Sequence, residues 1–151
     1  MQIWVDADAC PRAVKEILFK VAERRQVAVT LVANAWMTVP PSPLIKTIQV
    51  GAGFNVADDE IAELAQYGDL VITADIPLAD KIVDKGATGL NPRGELYDAD
   101  NIKGILRMRN LMEELRSAGT AGGGPPAYGP KDKQDFTNQL DKFLTRALSG
   151  G

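Results

Sequence analysis

Residues 68–79 read Gly-Asp-Leu-Val-Ile-Thr-Ala-Asp-Ile-Pro-Leu-Ala. Asp69 to Ala74 is a near-continuous apolar run, the pattern of a strand buried on both faces. The run closes on Asp75, and Pro77 follows at a first helical turn, where a missing N–H is tolerated. This succession of strand, acid and helix is one unit of a parallel α/β sheet. The N-terminus repeats it. Gln2 to Asp6 is an apolar run that also closes on an acid. Asp8 and Pro11 come next, and Val14, Ile17, Leu18, Val21 and Ala22 then recur at the spacing of one helix face.

The rest of the chain extends the same pattern. Strands are expected at Val27 to Ala33, Ile45 to Val50 and Ala87 to Leu90. Asn34 to Leu44 holds three prolines and reads as a loop. Gly51-Ala52-Gly53 reads as a turn, and Asp58 to Tyr67 as a short helix whose acidic start suits the positive end of the dipole. A helix over Ile102 to Arg116 is expected to turn Ile102, Ile105, Leu106, Leu111, Met112 and Leu115 inward. Ser117 to Pro130 is rich in Gly and Pro. A last helix, Lys133 to Leu148, carries Phe136, Leu140, Phe143, Leu144 and Ala147 on one stripe. The reading is a single α/β domain of 151 residues. It has a mainly parallel sheet within a core of about 1–95 and a helical extension over 102–148.

Composition narrows the chemistry. There is no His and one Cys, so His-dependent triads, internal disulfides and Cys- or His-rich zinc sites are excluded. Oxygen ligands and hard cations such as Mg²⁺ or Mn²⁺ are what is left. No apolar run is long enough to cross a membrane. The acidic N-terminus lacks the basic start of an export signal, and with a single Cys this leads to an expectation of the cytoplasm. Residues 1–90 hold 12 acids and 8 bases, a balance of −4; residues 91–151 hold 8 and 9, a balance of +1.

In a doubly wound sheet, ligands sit beyond the carboxyl ends of the strands where the strand order reverses. Asp6 and Asp75 would face each other there if strands one and four are neighbours. Two carboxylates at ~4 Å repel by about 4 kcal/mol at an effective dielectric near 20. No Lys or Arg stands within Trp4–Ala9 or Val71–Pro77 to neutralise them. A divalent cation would, and carboxylates with waters describe a Mg²⁺ or Mn²⁺ centre for phosphoryl transfer. Arg93, in the Asn91-Pro-Arg-Gly turn at the same expected sheet edge, suits a bidentate phosphate contact. Arg107, Arg109, Arg116, Lys131 and Lys133 would extend such a track. Trp36, in the Pro-rich loop, would stack on a base or fold over the core. Cys10 lies at a helix start without a His partner and reads as a small buried side chain.

Two resemblances add to this reading. The run Asp58-x-x-Ile61-Ala62-x-x-Ala65, leading into Asp69 to Ala79, resembles the carboxyl half of PIN-like nuclease domains, and Asp6 is similar to their first acid. Over nearly its full length the chain resembles the YaiI/YqxD family, through VDADACP, GDLVITADIPLA, LNPRGELY and the Gly-rich segment before the last helix. The PIN-like resemblance implies a three-layer sandwich and Mg²⁺- or Mn²⁺-dependent cleavage of RNA or single-stranded nucleic acid. It implies that Asp6, Asp58 and Asp75 hold the metal and act in catalysis. Thr73 would lie beside them to bond water or phosphate, and Asp8, Asp59 and Asp80 would take a second rank. The early helix offers Glu16 and Glu23 where such nucleases carry a Glu. Two other readings fit the same residues. One is a non-catalytic RNA- or protein-binding adaptor. The other is an aspartate-nucleophile phosphatase, drawn from Asp6-Ala-Asp8, although its acidic pair would stand on the wrong side of Thr73.

Overall fold

The structure is a computed structural model that describes residues 1–53, 55–117 and 126–149. In chain order it runs β1 (Ile3–Asp6), α1 (Arg12–Arg25), β2 (Val29–Ala33), β3 (Ile45–Gln49), α2 (Val56–Leu64), β4 (Leu70–Ile72), α3 (Ile76–Asp84), β5 (Thr88–Leu90), β6 (Leu96–Tyr97), α4 (Ile102–Ser117) and α5 (Pro130–Ser149). A short 3-10 turn, Ala7–Ala9, separates β1 from α1. The sheet order is β3-β2-β1-β4-β5-β6. Every pairing is parallel except β5 with β6.

Because side chains alternate along a strand, β1 feeds two cores. Ile3 and Val5 join Val14, Leu18, Leu31, Ile72, Phe136 and Leu140 beneath α1 and α5. Trp4 joins Val32, Ile61, Val71, Leu78 and Ile82 beneath α2, α3 and α4. The result is a three-layer α/β sandwich with a mainly parallel central sheet. Asp6, next in alternation after Trp4 and paired in register with Val32, falls on the α2/α3 face. The last helix is more than an extension, since Phe136, Leu140 and Leu144 are buried in the first of these cores.

Asp69, at the start of the β4 segment, anchors the other end of the sheet. Only 5% exposed, it accepts the Gln2 amide at 3.1 Å, the Trp4 indole N–H at 3.0 Å and the Gln66 amide at 3.0 Å. A buried carboxylate is stable only when its oxygens are satisfied in this way.

Several expectations are corrected. The fourth strand stops at Ile72 rather than Ala74, because the Thr73 hydroxyl takes up the Asp75 amide at 3.0 Å and bends the chain. Helix α2 starts at Val56 rather than Asp58, after Asn55 in the left-handed region at φ 65°. Strand β6 was too short for any periodic signal. It forms because the Asn91 side chain receives the Arg93 and Glu95 amides and Gly94 adopts φ +95°. On α4 only Ile102 is buried, while Met108, Leu111, Met112 and Leu115 are 57%, 47%, 41% and 40% exposed. The cause is geometric: α4 lies against α3 near its start, where Lys103 meets Asp80 and Asp84. Of the Gly/Pro-rich segment, residues 118–125 lie outside the described residues.

Candidate functional site

The two strand-end acids meet at the point where the strand order reverses. β1 and β4 are neighbours, with Val5 opposite Ile72, and the Thr73 hydroxyl donates to Asp6 Oδ2 at 3.0 Å. Thr73, 2% exposed, thus holds Asp6 through its proton and the Asp75 amide through its lone pair. The hydroxyl expected to bond water or phosphate instead orients both acids.

Asp75 caps α3, its Oδ1 accepting the Leu78 amide at 2.9 Å. Asp58 comes from the first turn of α2. Both helix N-termini therefore point their positive ends toward the same carboxylates. Asp8 reaches from the 3-10 turn and accepts the Asn34 amide at 2.8 Å, tying β1 to the end of β2.

Asp6, Asp8, Asp58 and Asp75 line one cleft of about 460 Å³ together with Ala9, Asn34, Gly53, Asn55, Val56, Ala57 and Ala74. Among the described residues none that lines it is basic. Burial raises the Asp58 carboxyl to about 7 from an ordinary 3.8, reinforced by a side-chain hydrogen bond with Asp75 and by the charges of Asp6, Asp75 and Asp59. Burial also raises Asp6; the Thr73 hydrogen bond opposes this, while the charges of Asp75 and Asp8 add to it. Among the described residues no group of three or more His, Cys, Asp or Glu side chains is already gathered to hold a metal ion. The cleft as it stands is a set of carboxylates with no basic partner among the described lining residues.

The remaining candidates lie elsewhere. Asp59 faces Lys81 at 3.9 Å, and Asp80 accepts Lys103 at 2.6 Å between α3 and α4. Neither lines the cleft. Arg93 donates to Asp132 Oδ2 at 3.0 Å and to the Pro126 carbonyl at 2.6 Å, and stacks 5.7 Å from the Tyr128 ring centre. Its turn is at the expected sheet edge, but its guanidinium is neutralised by α5. Arg107, Arg109 and Arg116 ride on α4, and Lys131 and Lys133 on α5, in layers on opposite faces of the sheet, so they form no single track. Glu16 pairs with Arg12 on α1. Burial pushes the Cys10 thiol up to about 12, which leaves it unreactive. Asn34 and Asn55 were missed as cleft residues. Asn34 directly follows the second strand, so the rule that found Asp6 and Asp75 would also have found it.

The pH dependence of this cleft follows from Asp58. In the unfolded chain its carboxyl loses its proton near 3.8, while in the folded chain it keeps it to about 7. The folded state therefore binds more protons between these values, and stability falls as pH rises through the window. Thermal melts without divalent ions should show Asp58→Asn gaining on wild type from pH 4 to pH 8. A constant difference would mean that folding does not raise the Asp58 carboxyl.

The fold and cleft define a class: parallel α/β domains with a carboxylate-lined cleft at the topological switch point. Within it, residues 4–146 match the family described as "Uncharacterized BCR, YaiI/YqxD family", and the chain belongs to that family. It is 78% identical over 149 residues to a UPF0178 protein of Maridesulfovibrio salexigens, covering 99% of each chain. It is 60% identical over 146 residues to a UPF0178 protein of Shewanella halifaxensis, covering 97% of each. It is 59% identical over 151 residues to one of Janthinobacterium sp. (strain Marseille), covering 100% of each. No solved structure matches the chain. Among the described residues no helix is long and apolar enough to cross a membrane.

Proposed function

We propose that this protein is a Mg²⁺- or Mn²⁺-dependent phosphodiester hydrolase of the PIN-like type, acting on RNA or single-stranded nucleic acid. The observation that carries the reading is the meeting of Asp6, Asp8, Asp58 and Asp75 in one cleft with no basic side chain on its walls. The donor set is all hard oxygen, which fits Mg²⁺ or Mn²⁺ and no softer metal. Asp6, Asp58 and Asp75 would hold the ion, with Asp8 within the same cleft. Metal ligands bind deprotonated, so seating it favours ionised Asp58, and the ion turns like-charge repulsion into shared attraction.

A divalent ion at such a site supplies the charge that activates water and stabilises the leaving oxygen of a phosphodiester. The chain's own residues do the rest. Thr73 fixes the rotamer of Asp6 and the backbone of Asp75, so two carboxylates from different strands keep one spacing. Asp8 and Asn34 close the β2 side of the cleft. With no basic side chain among the described cleft residues, the ion would be what draws the phosphate in.

A Mn²⁺ titration followed by thermal melting tests the binding step. An ion at ~100 times its Kd stabilises the fold by about 2.7 kcal/mol, which for this size raises Tm by roughly 5–10 °C. Asp75→Asn should abolish the rise. No shift in wild type, or the same shift in Asp75→Asn, overturns the site.

A further inference from the structure

Among the described residues two aromatic side chains are strongly exposed, Trp36 at 75% and Tyr67 at 87%. Tyr67 has a local reason, since its ring lies over Gly86 at the amino-terminal edge of the sheet, so close that a Cβ there would fall 2.3 Å from it. Trp36 is at the opposite edge. It stands two residues beyond Asn34, which lines the carboxylate cleft and gives its amide to Asp8. Two residues of chain span at most ~7 Å, so the backbone of Trp36 lies within that distance of a cleft-lining residue.

The loop does not leave Trp36 outside for want of a core to join. Met37 and Val39, on the same loop, pack against the core under α1 and α5. Pro40, Pro41 and Pro43 stiffen the chain that follows. The next residue along is thus anchored while the largest apolar side chain of the loop faces water, although burying such a side chain is worth about 1.5–3 kcal/mol. Trp4, the other tryptophan, is buried and hydrogen-bonded to Asp69. An exposed indole on a loop anchored by its neighbours, near the proposed phosphodiester site, has the chemistry of a stacking platform, because every nucleobase has a π-face.

We infer that Trp36 stacks on an unpaired base of the substrate and thereby makes the cleft select single-stranded over duplex nucleic acid. This rests on the hydrolase reading above. Trp36 acts as a positioning residue: it sets where the strand lies, while the carboxylates act on the phosphate.

The test is tryptophan fluorescence with a short single-stranded RNA in Mg²⁺, with the matching duplex as control. Trp36 dominates the solvent-exposed emission, so wild type should be quenched by the single strand and little affected by the duplex. Trp36→Leu should lose the quenching and bind about tenfold more weakly or worse, the effect of removing one base–aromatic stack. Trp36→Phe should recover most of the affinity. In cleavage assays Trp36→Leu should raise KM with kcat nearly unchanged, whereas a structural role would lower Tm, which here should stay at the wild-type value. Wild type that binds the single strand while Trp36→Leu binds it equally well overturns the stacking role and leaves the hydrolase reading standing. Wild type that binds no single strand in Mg²⁺ overturns both.

Discussion

Asp6→Asn is expected to abolish Mn²⁺-dependent cleavage of a single-stranded RNA, with a loss of about a thousandfold or more. Asp6 would hold the ion that supplies the electrostatic stabilisation of the reacting phosphate, an effect worth about 4 kcal/mol, and each 1.36 kcal/mol is a factor of ten. The substitution keeps the shape of the side chain, and its amide oxygen can still accept the Thr73 hydroxyl that now reaches Asp6 Oδ2 at 3.0 Å. What disappears is one negative charge at the junction of β1 and β4. Without divalent ion the variant should melt at or above the wild-type temperature, because burial and the charges of Asp75 and Asp8 already disfavour the ionised form of Asp6. Loss of activity together with equal or higher Tm separates a functional role from a structural one. Cleavage that persists in purified Asp6→Asn identifies a contaminating nuclease and removes the basis for the assignment.

Asp69→Ala should produce the largest loss of stability, about 3–5 kcal/mol in urea unfolding, the range for breaking a buried charged pair or network by deleting one member. The carboxylate satisfies the Gln2 and Gln66 amides and the Trp4 indole N–H, and Ala leaves the buried indole donor and two part-buried amides without their partner. Against a typical total of about 5–15 kcal/mol this is a large fraction, and Tm should fall by roughly 10 °C. Asp69→Asn should lie between, since one oxygen remains while an NH₂ now confronts the donors. Because Asp69 is at the amino-terminal edge of the sheet, away from the cleft, the Mn²⁺-dependent rise in Tm should persist in either variant. If Asp69→Ala melts like wild type, the network contributes no net stability.

The legible part of the site was the part carried by strand ends. Asp6 and Asp75 close apolar runs, so a rule about carboxyl ends placed them together, and the doubly wound order made strands one and four neighbours. Thr73 was legible as a position but not as a role, because the sequence does not say whether a hydroxyl faces solvent or a neighbouring carboxylate. Asp59 and Asp80 show the opposite limit. They differ from Asp58 and Asp75 in sequence only by a step or a turn along a helix, yet that rotation carries them to Lys81 and Lys103.

By itself the sequence determined the class of fold, the alternation of strands and helices, the oxygen-only chemistry and the two acids on which the site is built. Those features depend on local periodicity and residue type, which one chain segment can express alone. Tertiary structure alone decided that Asp58 lines the same cleft as Asp75 and that Arg93 is bound by Asp132 rather than left for phosphate. It also decided that Trp36 faces water and that the second half of α4 leaves its apolar stripe exposed. Each of these outcomes is set by which other element comes to lie against the side chain. That depends on how layers far apart in sequence pack, and no local spacing records it.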